Sequence, residues 1–407
     1  VFDLIIKNGT VIDPAQNLWC QLDVAITQGN LAALDAGLWD ARQIIDATGL
    51  IVTPGLIDLH AHVADGIIPL GVAPDEAGVR SGVTTVVDAG STGYTTFAGF
   101  AQYVIPNALT DLFAFLHLSP VGEAALPEIG WERVSAEKMI ATIAQHRDMI
   151  KGIKLRITAN LIHALGLDAL KIAKQVSTQT GLLVMAHLGI DTGETLDAET
   201  LRAFTRDALA WLERGDILTH VFTKKPGGLF TAQGEVLPGV REAIARGVIL
   251  DVASALGHLD FNIARWAIAN GFAPFTLSTD FTTNLLNAPV PLTLPVLMSE
   301  FIALGASVSQ VVAMTTINPA QVLGEAARRG SLRVGAPADV ALFELRGGDW
   351  NFVYHPDGPV LKAKQLFLPR LTIKRGMVIE PSPRAKNYAQ WHASAQSLFA
   401  GKATIEL

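Results

Sequence analysis

Six residues of metal-binding type, His60, His62, Lys154, His187, His220 and Asp280, each stand at or near the end of a short apolar run, and together they span more than half the chain. An eight-stranded α/β barrel gathers such strand ends at one mouth, so the pattern is that of a metal centre assembled from several strands. In Leu56-Ile57-Asp58-Leu59-His60-Ala61-His62 the strand period of two sends both imidazoles to one side and Leu59 and Ala61 to the other. Two hydrogen-bonded interior histidines would give the same pair, which on its own decides nothing.

The runs Leu182–His187 and Asp216–His220 repeat the design of an apolar stretch ending in histidine. Lys154, His187 and His220 are evenly spaced, at an interval that fits one strand, a loop and a returning helix. A lysine in a barrel strand is costly as an ammonium, and its N–H donors leave no lone pair for a metal. Carboxylation of the neutral amine by carbon dioxide would give an anionic carbamate able to bridge two ions. A lysine that snorkels to solvent or pairs with a carboxylate, and a Schiff-base lysine, are the competing readings. Asp280 closes Phe275–Asp280 and reads either as a helix cap or as a terminal ligand and proton carrier.

Four further residues are candidates for substrate contact. Arg156, two residues beyond Lys154, turns to the same side and either grips a substrate carboxylate or pairs with a barrel carboxylate such as Asp88. Tyr94, in the Gly90–Tyr94 loop, either bonds the substrate carbonyl or packs. His117 and His258 follow strand candidates and face the substrate or serve as satisfied structural histidines. His146, His163, His355 and His392 read as peripheral, and Lys224-Lys225-Pro226-Gly227-Gly228 as a mobile rim or a simple turn.

Through Thr53-Pro54-Gly55-Leu56-Ile57-Asp58-Leu59-His60-Ala61-His62 and the later Lys154, His187, His220 and Asp280, the chain resembles the amidohydrolase superfamily, binuclear-metal class. Gly82–Ser91 and Gly152–Arg156 are similar to its dihydroorotase-like deacetylase branch. Asp3–Asp13 and Gly335–Phe343 resemble the small β-sandwich such proteins build from both chain ends. Dihydroorotases usually carry Arg two residues beyond the H-x-H pair, where this chain has Ala64, so orotate-pathway chemistry is disfavoured. The segment 254–258 also departs from the branch in the order of its Gly and His.

The resemblance implies a distorted TIM (β/α)8 barrel and two divalent ions, zinc first, with manganese, iron and cobalt as alternatives. His60, His62 and Asp280 would hold the more buried ion and His187 and His220 the more exposed one, with the Lys154 carbamate between them. A metal-bridging hydroxide would attack an acyl carbon, while Asp280 takes the proton and passes it to the leaving amine or alcohol. The expected reaction is amide or ester hydrolysis, in particular deacetylation of a small carboxylate-bearing substrate. Opening of a cyclic amide, as in a hydantoin, dihydropyrimidine, lactam or dihydroorotate, is the enzymatic alternative. A non-enzymatic assembly module is the alternative from another class.

At 407 residues the chain exceeds a barrel of about 250 residues and leaves material for a second module. Its net charge of −7 and charged fraction of 17% give no electrostatic footprint for nucleic acid. Without an apolar stretch of membrane-spanning length, a cytoplasmic protein acting on a small molecule is expected. Cys20 is the only cysteine, which excludes an intrachain disulfide and a thiolate cluster.

Barrel strands are expected near 56–61, 83–88, 112–117, 150–156, 182–187, 216–221, 248–253 and 274–279, with helices such as Ala136–His146 and Leu167–Gln179 between them. The expected division is sandwich over 1–52 and 336–382, barrel over 53–335 and a helical tail over 383–407. Ala338–Leu345 and Leu371–Ile379 are the returning strands. The tail would pack on the barrel or on a neighbouring subunit, which allows a homo-oligomer.

Overall fold

The computed structural model describes residues 1–190, 196–231, 233–354, 358–394 and 404–405. Near the start of the chain, alternation of Ile, Val and Leu produces five strands: β1 (Phe2–Asp13), β2 (Leu18–Thr27), β3 (Asn30–Asp35), β4 (Ala41–Asp46) and β5 (Ile51–Pro54). The later strands β13 (Val340–Phe352), β14 (Val360–Lys374) and β15 (Met377–Ile379) complete a sheet in the order β15-β14-β13-β5-β1-β2-β3, with β4 on β1. Leu4, Ile6, Val24, Val52, Val340, Leu342 and Ile373 form its own apolar cluster. In β1 the register slips between Ile6 and Gly9. A Cβ at Gly9 would lie 2.4 Å from the Val52 side chain, so only glycine admits this crossing.

The second sheet is parallel and follows chain order through β6 (Leu56–Ala61), β7 (Val83–Ala89), β8 (Asp111–His117), β9 (Ile150–Arg156), β10 (Leu183–His187), β11 (Ile217–Thr219) and β12 (Ile249–Asp251). Helices cover its outside, among them Ala136–Gln145 and Asp168–Thr180, as the helical periodicity predicts. Leu170, Ala173 and Val176 of the second pack into the cluster that holds Ile153, Leu155 and Val184. The result is a TIM-barrel-like α/β fold.

Three departures from expectation have local causes. The expected strands over 216–221 and 248–253 shorten to three residues each, because the chain turns to positive φ at His220 (66°) and Ala253 (42°). The 274–279 segment forms no regular strand; it bridges β12 at Asp251–Thr276, and the residues just after it bridge β6 at Ala61–Phe281. Third, Leu59 packs with Ile57, Val87, Phe115, Met185 and Ile217 of the inward rows instead of facing away from the barrel. The β6–β7 register slips between Asp58 and Ala61, so strict alternation does not run through the H-x-H pair.

The tail is only partly helical. Pro383–Lys386 and Tyr388–Ser394 are helices and Thr404–Ile405 is a strand (β16) paired with β14, whereas 395–403, 406–407 and His355 lie outside the described residues. Among the described residues no helix is long and apolar enough to cross a membrane.

Candidate metal centre

Pairing registers show how the strands build the site. His117 is level with Lys154, Lys154 with Met185, Arg156 with His187, His187 with Thr219, and Thr219 with Asp251. Met185 belongs to the apolar layer of Val87, Phe113, Phe115 and Ile217, and His117, His187 and Thr219 continue the inward rows one pleat repeat beyond it. The barrel interior therefore changes from hydrocarbon to polar groups within one pleat repeat.

A cavity of about 140 Å³ opens there, lined by all six sequence-predicted ligands together with Glu123, Arg156, Lys225 and His258. His60, His62, Lys154, His187 and His220 are buried. Asp280 Oδ1 is 3.0 Å from His62 Nε2 and 3.4 Å from His60 Nε2, and its Oδ2 is 3.8 Å from His220 Nε2. Lys154 Nζ stands 2.8 Å from His60 Nε2 and 3.7 Å from Met185 Sδ. The His187 and His220 rings are 4.5 Å apart, and His258 lies 4.1 Å from His220.

Partners on the far side of each ring select the tautomer. The Ala253 carbonyl can only accept, so His220 donates from Nδ1 across 2.7 Å and keeps a lone pair on Nε2. Thr219 Oγ1 gives its single hydrogen to Asp251 Oδ2 at 2.8 Å; it must accept from His60 Nδ1 at 2.9 Å, and His60 Nε2 is again the lone pair. His62 Nδ1 meets Ser91 Oγ at 3.0 Å. Three Nε2 atoms are thus aimed at the Asp280 carboxylate, while the buried His187 Nδ1 has no hydrogen-bond partner among the described residues.

Burial and the neighbouring charges set protonation. Burial holds His60, His187 and His220 neutral well below the usual histidine range, with Lys154 adding to the effect in each. For His62 burial works in the same direction, yet Glu123, Asp280 and Asp88 outweigh it and lift the ring to about 9. Burial lowers Lys154 to about 8 against the pull of Asp280 and Glu123, bringing the neutral amine within reach. Asp280 is held well below the carboxylate range: burial would raise it, but His60, His62 and His220 prevail. Three neutral imidazoles, His60, His187 and His220, an anionic carboxylate and an orphaned buried nitrogen fit divalent cations, and a cation beside Asp280 would displace the proton of His62.

The substrate candidates divide. His258 is on the cavity wall, 2.7 Å from Lys225 Nζ. Arg156 is also on the wall, but its guanidinium binds Glu128; Asp88 instead accepts from the backbone N–H groups of Val63 and Ser91. Tyr94 donates to the Arg133 carbonyl at 2.7 Å and is absent from the wall. His117 is buried behind the wall, its Nδ1 accepting from Ser119 N at 2.8 Å. Sequence reading missed Glu123, Thr219 and the site role of Asp251. Asp251 does end an apolar run much as Asp280 does; Glu123 lies in an irregular loop with no periodic signal.

Fold and site together are those of an α/β barrel with candidate divalent-metal groups at its mouth. Residues 51–379 match the amidohydrolase family, and the chain belongs to it. A deacetylase of Agrobacterium fabrum is 30% identical over 367 residues, covering 88% of this chain and 87% of the relative. Among solved structures, an adenine deaminase superposes with a TM-score of 0.83 at 27% identity, covering 93% of this chain and 100% of the other. A dihydroorotase gives 0.80, also at 27% identity, covering 93% and 99%.

Proposed function

We propose that this protein is a metal-dependent hydrolase that removes a small acyl group, acetyl foremost, from a compact carboxylate-bearing substrate. The observation that carries the reading is the convergence of His60, His62, Lys154, His187, His220 and Asp280 on one small cavity. The similarity to a deacetylase over most of both chains supports the acyl group removed. Bridges from 276–281 to both edge strands support a distorted (β/α)8 barrel, with the two chain ends forming a β-sandwich beside it.

His60, His62 and Asp280 would hold one divalent ion and His187 and His220 the other, with a carboxylated Lys154 between them. Zinc suits this nitrogen and oxygen set. When bound, the ions would supply Lewis acidity and lower the pKa of the attacking water. Asp280 lies within 4 Å of three imidazoles and is the base for that water; it then returns the proton to the leaving nitrogen or oxygen.

The test is a hydrolysis screen of zinc- and bicarbonate-loaded protein against N-acetyl amino acids, O-acetyl hydroxy acids and cyclic amides. Turnover of the open-chain acetyl compounds is expected. Ring opening of hydantoins or dihydropyrimidines without deacetylation would replace this reading by the cyclic-amide one.

A further inference from the structure

The loop after β8 brings Glu123 to the cavity wall, where its carboxylate meets both a metal-ligand candidate and Arg156. Oε2 lies 3.5 Å from His62 Nδ1 and Oε1 lies 3.8 Å from Arg156 Nε, and the Glu123 side chain is only 5% exposed. Glu123 N donates to the Ser91 carbonyl at 3.0 Å, and Ser91 Oγ is the other partner of His62 Nδ1. Both groups that orient this ring are therefore tied to one another through the backbone. On its far side Arg156 is bound by Glu128, whose side chain is fully buried.

We infer that Glu123 is a positioning residue for His62, and that Arg156 serves the metal centre through Glu123 and Glu128 instead of gripping the substrate. The inference rests on the metal-dependent reading above. A carboxylate at Nδ1 holds the proton on that nitrogen, so Nε2, beside Asp280, is the atom that would give up its proton and offer a lone pair to a cation. Two carboxylates beside one guanidinium neutralise it, which weakens the pull of Arg156 itself on a substrate carboxylate. Without Arg156 the same two carboxylates would repel each other in a low-dielectric setting, and Glu123 would leave its place beside His62.

The experiment is a cobalt titration of the full chain with bicarbonate present, followed by visible absorption and equilibrium dialysis, for the unmutated protein, Glu123→Gln, Glu123→Asp and Arg156→Met. Glu123→Gln and Arg156→Met should each weaken one of the two ions about 10- to 100-fold and spare the other, with Glu123→Asp in between. Arg156→Met should also lower kcat/KM equally for anionic and neutral acetyl esters. Unchanged cobalt affinity in folded Glu123→Gln, or loss of both ions together with the circular dichroism of the fold, would overturn the positioning role. A KM increase for anionic esters alone in Arg156→Met would restore Arg156 as a substrate clamp. An unmutated chain that takes up no cobalt would instead overturn the metal-dependent reading itself.

Discussion

A side chain at Gly90 would collide with Lys154: its Cβ would stand 2.5 Å from Lys154 Cγ and 2.7 Å from Lys154 Cβ. Gly90 also has φ of 97°, a conformation that L side chains rarely adopt. The end of β7 thus both turns and clears space for the lysine rising from β9. Gly90→Ala should cost about 1–3 kcal/mol of stability through strain and overpacking. It should also displace Lys154 and reduce hydrolysis. Urea unfolding and a kcat measurement check the two effects together, and an active variant with unchanged stability would show that the lysine has room to spare.

Thr219 is the link between His60 and the buried Asp251, which also accepts from the hydroxyls of Thr276 and Ser278 at 2.7 Å each. Thr219→Val keeps the shape and removes the link, freeing the His60 ring to change tautomer. Metal affinity or activity should fall about 10- to 100-fold. Competition with a chelator measures it, and Thr219→Ser should recover most of the loss.

Asp280→Asn should fold and retain the cavity, since Asp280 N still donates to the His60 carbonyl at 2.7 Å. Removing the base should lower kcat by ~10² to 10⁴. Zinc content by mass spectrometry, read beside kcat, separates loss of proton transfer from loss of metal.

Away from the site, Glu344 is held at about 2 by hydrogen bonds from Arg346, with burial opposing and Arg370 adding to the effect. Because its folded pKa is depressed, the pair's contribution is full above the ordinary glutamate value of 4.5 and is lost as pH falls from there toward 2. The group is part-exposed and screened, so Glu344→Gln should destabilise by no more than about 1 kcal/mol at pH 7. Near pH 2 the difference from the unmutated protein should vanish in paired urea titrations.

The site was legible because its donors punctuate apolar runs: His60, His62, Lys154, His187, His220 and Asp280 each close or flank a strand-like stretch, and the barrel brings such ends together. Helices at Ala136–Gln145 and Asp168–Thr180 were equally plain from their periodicity. What stayed hidden depends on contacts across the chain. The left-handed turns at His220 and Asp280 and the hydroxyl cluster around Asp251 are fixed by tertiary partners. The register slip that accompanies the inward packing of Leu59 depends on pairing with β7. Arg156 pointed inward as alternation required, but its carboxylate was Glu128, from a loop without any period.

The most direct test is the anomalous diffraction of crystals grown with zinc and bicarbonate. Two peaks are predicted, one among His60, His62 and Asp280 and one beside His187 and His220, with carboxylated Lys154 density between them. An unmodified Lys154 amine and no anomalous peak in the cavity, at saturating zinc, would contradict the account.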